Sequence, residues 1–190
     1  MAVGTTDAVN LALREASPQK PLESGSAAGK MRVWMDTVAL VTADTSDDGD
    51  VWYMAEVPSN AKIVSIGVMN DEIDAHATPT LDVNLGIYNG GTKFVTSAGT
   101  KYAAKALIDE DAYASAWVAT ATTNLGVATI VPEELAFEAR NINAINNYVW
   151  EDCGLPEDPK VPLYIAFTVI TAAATHADGD VTMIVKYTVE

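Results

Sequence analysis

Cysteine is almost absent: Cys153 stands alone among 190 residues. One thiol cannot form an internal disulfide, so a disulfide framework is excluded. Histidine is nearly as scarce, with only His76 and His176. Each sits in a polar stretch without a second His or Cys at ligand spacing, so no metal site is assigned. Basic residues are few, with 11 Lys and Arg against 26 Asp and Glu, a formal net charge of −15. Such a surface repels phosphate backbones, which argues against direct nucleic-acid binding and favours solubility at high local concentration. No apolar run is long enough to span a bilayer, and no membrane partner is expected. The opening M-A-V-G-T-T-D-A-V-N lacks the basic and apolar regions of a secretory leader, so synthesis and folding in a cytoplasm are expected. The serine-hydrolase elbow, the phosphate-binding loop and the paired-histidine zinc motif are missing as well. No catalytic residue and no cofactor is assigned, and the chain reads as a non-enzyme.

What remains is a chain that can fold. Hydrophobic residues make up 49%, enough for a sizeable core. Residues 32 to 89 set the pattern: apolar or alternating runs punctuated by turn chemistry, as in one half of a sandwich or barrel. Val33 to Val41 is a predicted strand. Val33, Met35, Thr37 and Ala39 share one face; Trp34, Asp36, Val38 and Leu40 share the other. Asp48-Gly49 predicts a hairpin turn, and Asp178-Gly179 repeats its chemistry. Further strands are predicted over 51–57, 61–69, 81–88, 125–131, 161–171 and 181–189. Leu81 to Tyr88 alternates as a half-buried strand does. Asn70 to Pro79 is an acidic loop. Tyr102 to Trp117 reads equally as helix or irregular loop. Pro132 to Trp150 is the best helix candidate, with Pro132 at its first position and Glu133 and Glu134 complementing the dipole. Cys153-Gly154 is a plausible stop.

Residues 1 to 30 differ from the rest. They are polar and rich in Pro, Gly and Ser between Ser17 and Lys30, with a short helix possible over Asp7 to Ala16. Two readings stand: a disordered tail, or an arm that orders only against a neighbour.

Candidate sites are sparse. Starting at Asp44, the order Asp44, Ser46, Asp48, Gly49 mimics a calcium loop, but the twelfth position is Ala55 and the flanks are strands. A solvated turn is the better reading. Acidic neighbours such as Asp71 with Glu72, Asp109 to Asp111, and Glu133 with Glu134 are what an acidic chain produces by chance. Trp34, Trp52, Trp117 and Trp150 fit core or interface positions better than a sugar platform. Cys153 fits a buried structural position.

Several stretches together resemble a family of tailed-bacteriophage virion proteins, the head decoration or cement-like proteins. They are G-K-M-R-V-W-M-D-T-V-A-L from Gly29; V-P-S-N-A-K-I-V-S-I-G-V-M-N-D-E-I-D from Val57; D-V-N-L-G-I-Y-N-G from Asp82; V-W-E-D-C-G-L-P-E-D-P from Val149; and Tyr164 to Tyr187. These motifs are structural rather than catalytic. Tyr102 to Val131 and the first half of the helix that follows match poorly, and Cys153 stands where a small residue is expected.

The fold expectation is mainly β: an antiparallel β-sandwich, jelly-roll-like, with one helix and an extended N-terminal arm. Residues 1–30 are the arm; residues 31–190 are a single β-sandwich domain with a helical insertion around 132–150. The resemblance implies a bacteriophage virion structural protein on the capsid surface, made in the host cytoplasm, that decorates or cements the assembled head. Its implied partners are the major capsid protein and other copies of itself as a homotrimer. The alternatives are another virion component, such as a head fibre base or tail protein, or a carbohydrate-binding β-sandwich. Expected partner-binding residues are the apolar anchors of the arm, Val9, Leu11, Leu13 and Leu22, followed by Asp71 and Glu72 of the acidic loop.

Overall fold

The computed structural model describes residues 30–118 and 146–189. Among these residues nine strands form two facing antiparallel sheets and a small hairpin. The first sheet has the order β1-β9-β3, built from β1 (Lys30–Leu40), β9 (Gly179–Val189) and β3 (Ala61–Asn70). The second has the order β2-β8-β4-β7, from β2 (Val51–Pro58), β8 (Pro162–Thr171), β4 (Asp82–Asn89) and β7 (Leu107–Val118). β5 (Phe94–Val95) and β6 (Lys101–Tyr102) pair with each other, with the Phe94 and Tyr102 rings stacked at 4.8 Å. The architecture is the expected antiparallel sandwich.

The inner faces supply the core. Trp52, Val57, Leu85, Ile87, Ile165 and Phe167 of one sheet meet Ile63, Ile66, Val68, Met183 and Val185 of the other. Burying each such side chain contributes about 1.5–3 kcal/mol. Trp52 sits opposite Phe167 across the β2–β8 ladder, rings edge to face at 6.0 Å, and its indole N–H donates to the Asp44 carbonyl at 2.8 Å. Partnered in this way, the indole can be buried without an orphaned donor.

Three expectations change. The Asp-Gly turns are not hairpins. β1 and β2 lie in different sheets, as do β8 and β9, so each turn carries the chain from one layer to the other. Gly49 does take a positive φ, +98°, with open space where a Cβ would go. Gly49→Ala should therefore cost about 1 kcal/mol through backbone strain alone, read as a small drop in the denaturant midpoint. Gly179 has another role: a Cβ there would meet Asp71 Cβ at 2.9 Å and Ile73 Cγ2 at 3.2 Å. The third change is at residues 107–118, which form a strand rather than a helix or loop. Tyr113 and Ala114 are fully buried there, and three register shifts against β4 break the alternation that marks a strand.

The expected strand over residues 125–131 and residues 132–145 of the expected helix lie outside the described residues. Within 146–189 the only helix is a single turn, α1 (Val149–Asp152). Tyr148 precedes it in extended backbone and donates its N–H to Glu151 Oε2 at 2.9 Å. Gly154, at φ +68°, ends it as expected.

Candidate docking surface

β1 is an edge strand that among the described residues pairs only with β9, in eleven consecutive register pairs from Lys30↔Val189 to Leu40↔Gly179 without a bulge. Its two faces differ as the alternation predicted. Trp34, Val38 and Leu40 turn inward; Leu40 is buried, and Trp34 reaches across the open side of the sandwich to donate its indole N–H to the Met54 carbonyl of β2 at 3.2 Å. Met31, Val33 and Met35 point outward and are 58%, 59% and 68% exposed. An exposed, regular, apolar edge is what soluble proteins generally avoid.

Beside Trp34 the seam between the sheets opens into a groove of about 680 Å³. Its walls include Glu56, Pro58, Asp158, Lys160 and Tyr187. Asp158 holds one wall by accepting from Ser59 Oγ at 2.5 Å and from the Lys160 N–H at 2.8 Å. On the outer face of the second sheet, Tyr53 packs edge-on against Tyr88 at 5.5 Å and Tyr164 at 5.6 Å, with Lys105 Nζ 4.5 Å above its ring. The tryptophans are dispersed: Trp52 is core, Trp34 bridges the seam and Trp150 packs partly buried against the core. These three, the tryptophans whose side chains are described, form no shared platform.

The predicted site residues divide. Val9, Leu11, Leu13 and Leu22 lie outside the described residues. Asp71 and Glu72 are both exposed at the end of β3. Asp71 is tied to β9, donating its N–H to the Asp180 carbonyl at 2.8 Å and accepting the Asp180 N–H on Oδ2 at 3.0 Å. The same loop hides a residue that sequence reasoning passed over. Asp74 is 1% exposed and accepts five backbone N–H groups, from His76, Thr80, Leu81, Ala174 and Thr175. Burial pushes its carboxyl up, but hydrogen bonds from Thr80, Thr175, Ala174 and His76 outweigh that and hold it below the usual 3.8. No local pattern distinguishes it from its acidic neighbours.

Among the described residues no group of three or more His, Cys, Asp and Glu side chains converges as a metal site. In the calcium-like turn, Asp44 accepts from the Val41 N–H at 2.8 Å, Asp48 from Ala172 at 3.0 Å and Asp50 from Asp47 at 3.2 Å. These carboxylates are turned to separate backbone donors, not to one centre. His76 bonds within its own loop to Thr78, and His176 contacts Thr45 at 3.1 Å. Cys153 is buried, and burial pushes its thiol up to about 12, the opposite of a nucleophile's setting. No described helix is long and apolar enough to cross a membrane. The prominent surface features of the described residues are an apolar edge, a seam and an aromatic face.

Comparison with known proteins finds likeness in fold. The chain is similar to a chain of the cyanophage Pam1 capsid asymmetric unit, with a TM-score of 0.54 and 20% identity over 93% of this chain and 97% of that one. It is also similar to a chain of the capsid of Ralstonia phage GP4, with a TM-score of 0.54 and 14% identity over 90% of each. No protein-family model and no curated protein matches it.

Proposed function

We propose that this chain is a structural protein of a bacteriophage virion, seated on the capsid surface, where it decorates and cements the head by binding assembled major capsid protein. The observation that carries the reading is the fold likeness to two phage capsid chains, which covers 93% and 90% of this chain rather than a fragment of it. The sequence motifs point the same way, and the surface offers contact features without a described metal centre. Internal DNA pressure loads the joints of a shell. A protein that binds only the assembled shell stabilises it by mass action, and many symmetric copies act together. Synthesis in the host cytoplasm, a non-enzymatic role and homotrimeric clusters complete the proposal.

Purified protein mixed with undecorated heads should co-sediment with them and raise the temperature at which they release DNA. Protein left in the supernatant would refute the reading. The arm is proposed to carry much of this attachment through Val9, Leu11, Leu13 and Leu22, with Asp71 and Glu72 as a second contact. An extended chain spans about 3.3 Å per residue, so residues 1–29 can reach a neighbouring subunit. Deleting them should leave the melting temperature nearly unchanged and reduce head binding sharply. Full binding by the truncated protein would move the contact to the β-domain.

A further inference from the structure

The outer edge of β1, which no described strand pairs with, is self-complementary. Taken as a strand, Lys30 to Asp36 reads K-M-R-V-W-M-D, and its centre is Val33. An antiparallel copy of the same stretch, centred on the same residue, places Val33 opposite Val33, Met31 opposite Met35, Arg32 opposite Trp34 and Lys30 opposite Asp36. Apolar therefore meets apolar on the outward face, where Met31, Val33 and Met35 are all more than half exposed. On the inward face a guanidinium meets an indole, a favourable cation–π pair. At both ends an ammonium meets a carboxylate. A shift of one residue in either direction brings outward Met or Val beside inward Arg, Trp or Asp, so the register centred on Val33 is favoured over its one-residue neighbours.

The backbone is ready for such a partner. β1 runs without a bulge, contains no proline and keeps full register with β9, so its outer row of N–H and C=O groups is regular. Trp34 is held in place by its bond to the Met54 carbonyl, which fixes the inward face before any partner arrives. We propose that β1 docks against β1 of a second copy of this chain, edge to edge and two-fold symmetric about Val33. The product is one continuous six-stranded sheet with order β3-β9-β1-β1-β9-β3. The contact joins copies in pairs and is separate from any three-fold clustering. It does not rest on the virion reading, because it needs only the chain itself.

The interface is narrow, so pairing in solution is weak and favours high local concentration. Cysteine cross-linking reads such a contact well, because only the residue on the two-fold axis faces itself. Directly opposed side chains in an antiparallel pair have Cβ atoms about 4.5–5.5 Å apart, close to what a disulfide spans. In the full chain, Val33→Cys under mild oxidant should give disulfide-linked dimers. Met31→Cys alone and Met35→Cys alone should not, but a mixture of the two should. Val95→Cys, 58% exposed on the small hairpin, measures random collision, and Val33→Cys should exceed it roughly tenfold through its raised effective concentration. Native Cys153 is buried and should not contribute. Lys30→Asp added to Val33→Cys should slow the reaction, and Asp36→Lys added to both should restore it. Cross-linking of Val33→Cys no faster than that of Val95→Cys would overturn the proposal, as would equal self-linking at positions 31, 33 and 35, or a rate indifferent to Lys30→Asp. All these positions are exposed, so the variants should fold.

Discussion

Gly86→Ala is expected to destabilise the protein by about 3 kcal/mol or more, the upper range for forcing an atom into a packed interior. A Cβ at Gly86 would lie 2.2 Å from the Glu110 carbonyl oxygen and 2.3 Å from that of Asp109. Both are backbone atoms, so no rotamer change relieves the clash. The reason lies in the β4–β7 ladder. Leu85 pairs with Ala114 and Ile87 with Asp109, so β4 advances two residues while β7 advances five. The surplus of β7 is folded over the face of Gly86, where only a hydrogen fits. Denaturant unfolding should show a midpoint shift well beyond that of Gly49→Ala, whose added methyl meets open space. Similar midpoints for the two variants would show that β7 can move aside.

The second large effect is expected at Asp74. Its two oxygens hold together the loop after β3, the start of β4 and the chain between β8 and β9. Oδ1 takes His76 and Thr175, and Oδ2 takes Thr80, Leu81 and Ala174. Asp74→Asn replaces one oxygen by an NH2 group. Whichever way the amide turns, at least two backbone donors then face another donor. The loss should be roughly 3 kcal/mol, the scale of charged hydrogen bonds removed with donors left unmet. Acid should act on the same group. The folded carboxyl titrates below the usual 3.8, so its contribution is complete above that value and is lost as pH falls through the lower, folded-state value. The stability gap between wild type and Asp74→Asn should therefore be constant at neutral pH and close below about pH 4. A gap that stays constant into strong acid would show that the carboxylate charge is not what matters.

Much of the sandwich is legible in the sequence because β1 and β9 carry period-two alternation and β2, β3 and β8 are runs rich in branched or aromatic residues bounded by turn residues. The assignment of facing residues in β1 is correct residue by residue. Legibility fails where a strand is covered on both faces or is irregular. β4 alternates Leu, Val and Ile with Asn84 and Tyr88, which suggests a wet face; yet it is a central strand, and these two residues are buried with partners. Asn84 accepts from the Ala116 N–H at 2.8 Å, and the Tyr88 hydroxyl meets Thr168 Oγ1 at 2.6 Å. β7 hides for a different reason. Its Asp109-Glu110-Asp111 and alanines suggest helix or loop, and its bulges erase the period that would correct the impression. The turns mislead because Asp-Gly specifies a local reversal and says nothing about which sheet the next strand joins. Of the docking surface, the outward set Val33 and Met35 is visible as alternation. Its exposure is not, since exposure depends on β1 lying at an edge, a property of topology.

The place of β9 bears on when the molecule can fold during its synthesis. It is the middle strand of its sheet, so β1 and β3 have no ladder to join until residues 179–189 exist. Lys30, at the start of β1, waits for Val189 at the end of β9. At typical translation rates that interval is on the order of ten seconds. During it β1 and β3 stand unpaired, while β4 and β7 can already join each other. A nascent chain stopped short of β9 is then not a smaller version of this protein but a substrate for chaperones and proteases.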